Sequence, residues 1–306
     1  VQNTLKAPVV FEGVGLHGGA PARLVLRPAA AGHGIWFRRT DIRIGNAMIP
    51  AQWDFVERSP LCTRLINEAG VSVSTVEHLM AALAGCGVHN ALVEIDGPEV
   101  PILDGSSAPF VRGIMERGLR RLDAPVVAVE ILKPVTVEKD GARATLLPSQ
   151  DFVIEFHIDF HDAAIGRQSK SLNMCNGTFA RELCDSRTFC RKADVDAMHD
   201  QGLALGGSLD NAVVVDGDDV LSPGGFRHAD EAVRHKMLDA LGDLAMAGGP
   251  ILGRYVGERA GHSLTNTLLR ALFDTPGAAR LVVCDAATAA RLPGAGLAWA
   301  EIPQVA

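Results

Sequence analysis

At 306 residues, with 47% hydrophobic and 21% charged residues, the chain is an ordinary soluble globular protein, long enough for two domains with real cores. Its formal net charge of −7 and scattered Lys and Arg argue against a nucleic-acid binder, which needs a concentrated basic face, and leave small anionic substrates open. Six cysteines (Cys62, Cys86, Cys175, Cys184, Cys190 and Cys284) without a CxxC pair, no charged segment leading into an apolar run at Val1 to Lys6, and no bilayer-length apolar stretch fit a reducing cytosol. The start at Val1 rather than Met leaves room for a few missing native residues.

Short strand patterns at 7–12, 22–28 and 35–38, separated by glycine-rich turns, predict a small sheet. Val14-Gly15-Leu16-His17-Gly18-Gly19 has the glycines of a phosphate loop without a following P-loop Lys-Ser/Thr, so His17 reads as a turn residue. The first strong helix follows Ser74-Thr75-Val76-Glu77-His78. Ser74 with Glu77 fits a capping box, which taken alone accounts for Glu77, and Gly85 supplies a stop. A strand at 91–95 comes next, and Pro101-Ile102-Leu103-Asp104-Gly105-Ser106-Ser107 leads into a second helix at 109–118.

The texture changes over 120–125, where the domain boundary is placed, and strands resume at 126–132, 135–138, 142–146 and 152–156. Beyond a polar loop at 162–171, short helices are predicted at 178–184 and 195–201, an extended segment at Arg187-Thr188-Phe189, and a buried strand at 211–215. In the helix that follows, His235, Asp239 and Asp243 fall at i, i+4 and i+8, a polar stripe beside apolar Met237, Leu238, Leu241 and Leu244. After Gly248-Gly249-Pro250 come a strand at 251–256 and a last helix opened by Gly261-His262-Ser263.

His78 lies 28 residues before Ser106, and His235 lies 28 before Ser263. Both histidines therefore occupy one point of one supersecondary unit. Element order and this spacing predict a duplicated α+β fold of two similar domains, 1–124 and 125–284, each a small sheet with a pair of helices packed on one face. A C-terminal tail, 285–306, carries no identifiable chemistry.

Singly, a His and an Asp four apart on a helix form a solvated pair, and a lone His on an apolar helix is a hydrogen-bonded core residue. Together, His78, His235 and Asp239 make a three-ligand set that suits zinc, and Fe(II) also, with the fourth tetrahedral position open as in a catalytic site between the domains. Glu77 adjoins a ligand and can act as base. Asp243 can accept a hydrogen bond from His262 and keep it protonated as an acid, and Lys236 adds a cation. Spacing alone points to zinc hydrolysis.

At these residues the chain resembles the UDP-3-O-acyl-N-acetylglucosamine deacetylases, zinc amidases of bacterial lipid A biosynthesis. The resemblance runs from about Leu5 to Phe273, through Val14-Gly15-Leu16-His17, Ser74-Thr75-Val76-Glu77-His78-Leu79, the Pro101 to Ser106 motif, Ser186-Arg187-Thr188-Phe189, Leu205-Gly206-Gly207-Ser208, Val233 to Asp239, and Gly261-His262-Ser263-Leu264. It implies Zn²⁺ held by His78, His235 and Asp239, Glu77 as general base, and His262 as general acid with Asp243 as its partner. Thr188 would help hold the oxyanion and Lys236 would place a charge near the reacting centre. Phe189 would meet the sugar side, Gly207, Ser208 and Val214 would line the acyl groove, and Arg259 and Cys62 join the substrate-binding set.

The implied activity is hydrolysis of the N-acetyl group of the acylated nucleotide sugar, releasing acetate. The implied enzyme is cytoplasmic and monomeric, binds no nucleic acid, and touches the membrane surface only transiently if at all. A zinc amidase for another amino sugar and a binding protein that has lost turnover are the alternatives. Three positions depart from the family pattern: Cys190-Arg191 stand where Gly-Phe is frequent, His89 where Asp is usual beside Asn90, and Arg259 where Lys is usual. None touches the ligand set.

Overall fold

The computed structural model describes residues 1–59 and 61–304; Pro60 and the last two positions of the predicted tail lie outside the described residues. In the first half, five strands run in the order Val9–Val14, Pro21–Pro28, Ala91–Ile95, Ile35–Arg39, Met48–Pro50. The central strand is antiparallel to Pro21–Pro28 and parallel to Ile35–Arg39. In the second half, Val135–Lys139, Ala142–Leu147, Ile251–Glu258, Phe152–Asp159 and Arg167–Asn173 repeat that order with the same strand senses.

Helices α1 (Glu77–Gly85) and α2 (Ala108–Arg117) precede and follow the central strand of the first half. After two short helices, α3 (Thr178–Glu182) and α4 (Lys192–Asp200), helices α5 (Glu231–Leu244) and α6 (His262–Asp274) do the same in the second. The duplication inferred from a 28-residue spacing is thus present strand for strand.

Burial explains the arrangement. Phe152, Ile154, Phe156 and Ile158 alternate inward along their strand, as a sheet with one covered face requires. On α6 the buried Leu264, Leu268, Leu269 and Leu272 form one stripe, whereas α1 is buried nearly all round, the mark of a helix enclosed on every side. The enclosure comes from α5, which packs along α1, while α2 and α6 pack beside α1 and α5 respectively.

Each repeat carries a small three-stranded sheet inserted between its fifth strand and its first long helix. In the first half it is Val56–Glu57, Arg64–Ile66 and Ser72–Ser74; in the second it is Phe189–Arg191, Val213–Asp216 and Asp219–Val220, accompanied by α3 and α4. Two further strands, Val127–Ile131 and Ala279–Val283, extend the second main sheet.

Two expectations are corrected. The second half of the polar loop predicted at 162–171 is strand: Arg167–Asn173 lies at the edge of its sheet, pairing on one side with Phe152–Asp159, and buries little of its surface. The Ser74–Glu77 capping box does not form: Ser74 ends a strand and pairs with the Glu99 backbone, Val76 is the helix N-cap, and no side chain caps α1. The Glu77 carboxylate is thereby free to point elsewhere.

His89 and Asn90 tie the N-terminal strand Asn3–Leu5 to the first repeat. His89 Nδ1 accepts the Asn3 N–H at 3.0 Å, and the Asn90 amide donates to Gln2 Oε1 at 2.8 Å. Burial lowers His89 to about 4, and a proton on Nδ1 would break the Asn3 bond. The folded state therefore binds this proton less readily than the unfolded chain, so the stabilisation is complete above the ordinary pKa of 6.5 and is lost as pH falls toward 4. His89→Gln, which can still accept but does not titrate, should remove roughly 1–3 kcal/mol of the stability lost between pH 7 and pH 4. Denaturant unfolding of both proteins at several pH values checks this, and superimposable pH dependences would refute it.

Candidate metal centre

Helices α1 and α5 meet at a glycine. A Cβ on Gly242 would lie 2.0 Å from the Glu77 carbonyl oxygen, so only hydrogen at that position lets the two helices approach this closely. His78 in the first turn of α1 then faces His235 and Asp239 on α5, all three at most 5% exposed. Their ligand atoms lie within 4.8 Å of one another. The Asp239 Oδ1 atom is 3.3 Å from His235 Nε2 and 3.5 Å from His78 Nε2, and the imidazole rings are nearly perpendicular at 87°.

Two observations test this set against a cation. His235 Nδ1 is 3.0 Å from the Ser186 carbonyl, which can only accept; Nδ1 therefore carries the proton and Nε2 presents its lone pair inward. Asp239 Oδ1 is buried with no hydrogen-bond partner among the described residues, while Oδ2 accepts from Lys236 Nζ at 3.0 Å. A buried carboxylate oxygen left bare is costly unless something electropositive meets it. Burial would raise the Asp239 carboxyl, but His235, Lys236 and His262 hold it well below the usual carboxylate range. Burial lowers His78, favouring the neutral imidazole that a metal requires. The set fits a divalent cation.

Glu77 and His262 face the same point from two sides. Glu77 Oε2 accepts the Thr63 N–H at 3.0 Å, and its Oε1 lies 3.6 Å from His262 Nε2. Burial, reinforced by Asp243 and Asp239 and opposed by His262, raises Glu77 to about 7. His262 Nδ1 bonds Asp243 Oδ2 at 2.8 Å, and Asp243 Oδ1 accepts from the Thr63 hydroxyl at 2.5 Å. Burial alone would lower His262; the carboxylates of Asp243, Glu77 and Asp239 outweigh it and raise it to about 10. A carboxyl group raised toward neutrality and an imidazole held charged therefore flank the His78, His235 and Asp239 group.

Other predicted residues are distributed around this centre. The Phe189 ring lies 6.2 Å from that of His235, and the Thr188 N–H is fixed by the Gly105 carbonyl at 2.7 Å. Val214 pairs with Cys190 between neighbouring strands, while Gly207 and Ser208 sit in the loop leading to them. Arg191 is turned onto Asp162 at 2.5 Å. Cys62 is buried, with its thiol raised to about 11 by burial and by Glu77, so it is a neutral wall residue. Arg259 stands apart: it is exposed and its guanidinium bonds the Gly141 carbonyl.

Several contributors gave no local sequence signal. Thr63 holds both Glu77 and Asp243, and the Ser186 carbonyl orients His235. His17, read as a turn residue, has both ring nitrogens buried without hydrogen-bond partners among the described residues, and burial lowers its pKa.

Residues 2–274 match the family model described as UDP-3-O-acyl N-acetylglycosamine deacetylase (LpxC). The chain is 50% identical over 280 residues to a UDP-3-O-acyl-N-acetylglucosamine deacetylase of Phenylobacterium zucineum, covering 92% of this chain and 96% of that one. It is 44% identical to the enzyme of that name from Actinobacillus succinogenes, over 89% of this chain and 90% of the relative. The identity is again 44% to that of Myxococcus xanthus, over 98% and 94%.

Gly242→Ala should force α1 and α5 apart, destabilising the fold by about 1–3 kcal/mol and weakening divalent-metal binding measured by chelator competition. Unchanged unfolding and unchanged metal affinity together would show that the glycine contact does not set the site.

Proposed function

The chain belongs to the UDP-3-O-acyl-N-acetylglucosamine deacetylase family, and from that premise we propose how its own residues remove the N-acetyl group of the acylated nucleotide sugar in lipid A biosynthesis. The observation that carries the reading is the convergence of His78 from one repeat with His235 and Asp239 from the other, with a bare carboxylate oxygen at the meeting point. We assign Zn²⁺ to this set on the strength of its two imidazoles and one carboxylate, a combination Fe(II) also accepts. When bound, the ion supplies Lewis acidity, polarising the acetyl carbonyl and acidifying water.

Glu77 takes a proton from the attacking water as the new carbon–oxygen bond forms at the acetyl carbon. Thr188 contributes to holding the developing oxyanion, and Lys236, tethered to Asp239, adds positive charge nearby. His262 gives its proton to the departing nitrogen as the carbon–nitrogen bond breaks, leaving acetate and a free amine. Asp243 keeps that imidazole charged and correctly turned. Phe189 is assigned to the sugar side, and Gly207, Ser208, Val214 and Cys62 to the passage for the acyl chain. Arg259 is assigned to the nucleotide phosphates, a role its exposure permits and its bond to Gly141 must yield to. We propose units of 1–124 and 125–284, a reading the duplicated topology supports.

No helix among the described residues is long and apolar enough to cross a membrane. For a nucleotide-sugar substrate we further propose a monomeric cytoplasmic enzyme that meets the membrane surface transiently.

His78→Ala should abolish metal binding. Glu77→Ala should keep the metal and lower kcat by about 10²–10⁴-fold, and a loss within about tenfold would reduce Glu77 to a structural residue. The profile of kcat/KM against pH should have two limbs, rising as Glu77 loses its proton and falling as His262 loses its own. His262→Ala should lower kcat and erase the alkaline limb; an effect on KM alone would reassign it to binding.

A further inference from the structure

Glu99 is a buried carboxylate outside the reacting cluster. It is 7% exposed and makes no ion pair within 4 Å among the described residues, a costly state unless its oxygens are satisfied by donors. Three donors meet it. Oε1 accepts the His17 N–H at 2.8 Å and the Thr75 hydroxyl at 2.9 Å, and Oε2 accepts the Gly18 N–H at 2.8 Å. Two consecutive backbone N–H groups aimed at two oxygens of one carboxylate form a small anion nest, supplied here by the protein's own side chain.

The clamp has two ends. Toward α1, the backbone at Glu99 pairs with Ser74 and its side chain holds Thr75, a non-glycine residue at φ 58, two positions before Glu77. Toward the second repeat, the clamped turn lies on the 205–207 loop: Gly206 N–H donates to the Leu16 carbonyl at 3.0 Å and Leu205 N–H to the His17 carbonyl at 3.2 Å. The fit is tight, since a Cβ on Gly15 would lie 2.3 Å from Glu99 Oε2, and one on Gly206 would lie 2.1 Å from the Gly15 carbonyl oxygen.

We propose that Glu99 is a positioning residue that clamps the Gly15–Gly19 turn against the 205–207 loop and so fixes the wall of the acyl-chain passage. The proposal rests on the assignment of Gly207 and Ser208 to that passage. Glutamine cannot replace the carboxylate here, because one of its two polar atoms is a donor and would face a backbone N–H.

The test is Glu99→Gln in the metal-loaded enzyme. The KM for the acylated substrate should rise about tenfold with kcat within about threefold. The Ki of non-acylated UDP-N-acetylglucosamine, a competitive probe of the nucleotide-sugar half alone, should stay within about twofold, and metal content should not change. Gly206→Ala, which pries the same two loops apart while leaving the carboxylate intact, should reproduce the acyl-selective effect, and it decides the matter if Glu99→Gln does not fold. Equal changes in KM and Ki, a fall in kcat alone, or wild-type behaviour would overturn the proposal. A wild-type protein that releases no acetate would instead sink the deacetylase assignment, so the two failures are distinguishable.

Discussion

Buried charge at the contact of α1 and α5 is the constraint on which the rest of the structure depends. Glu77, Asp239 and Asp243 are each at most 5% exposed and lie within one cluster. The cations facing them are Lys236 on Asp239 Oδ2 and His262 on Asp243 Oδ2. Three carboxylates against the two cations of Lys236 and His262 leave negative charge uncompensated, and one oxygen of Asp239 has no hydrogen-bond partner among the described residues. In a low-dielectric interior such an imbalance resolves by protonation or by binding a cation. The raised pKa of Glu77 is the first response, and the imidazoles of His78 and His235 converging on the bare oxygen provide for the second.

Duplication makes this charge cluster affordable. Each repeat places one buried helix on the face of its sheet, and packing the two repeats helix to helix buries the start of α1 against the middle of α5. Neither repeat alone holds three ligands. The small inserted sheets then add what the repeat lacks: the first brings Thr63, which donates to both Glu77 and Asp243, and the second brings Thr188, Phe189 and Val214. The candidate metal group is shared between the repeats, whereas Thr188, Phe189 and Val214, which we assign to the oxyanion and the substrate, come from the second insertion. The departure at Cys190-Arg191 lies in the second insertion, outside the His78, His235 and Asp239 group.

The candidate metal group is legible because two of its members obey local periodicity. His235 and Asp239 are one helical turn apart, and the equal spacing of His78 and His235 to a serine exposed the repeat. Glu77 shows where local pattern misleads: its sequence context is a good capping box, but pairing of Ser74 with the Glu99 backbone removes the cap and releases the side chain inward. Arg167–Asn173 was hidden because an edge strand with partly exposed faces carries no alternation of polarity. Thr63, Glu99 and the Ser186 carbonyl act across separations of up to 180 residues, for which one sequence offers no signal. Gly242 did carry one, a glycine within an otherwise sound helix, whose meaning appears only when Glu77 is seen against it.

That a cation joins the two repeats is the central claim. Crystals of the protein prepared without oxygen, measured above and below the absorption edges of zinc and iron, test it most directly. A cation held by both repeats should give one anomalous peak per chain, at about 2.0–2.2 Å from His78 Nε2, His235 Nε2 and Asp239 Oδ1. A fully ordered α1–α5 contact with no peak there, or a peak bound by other residues, would contradict it.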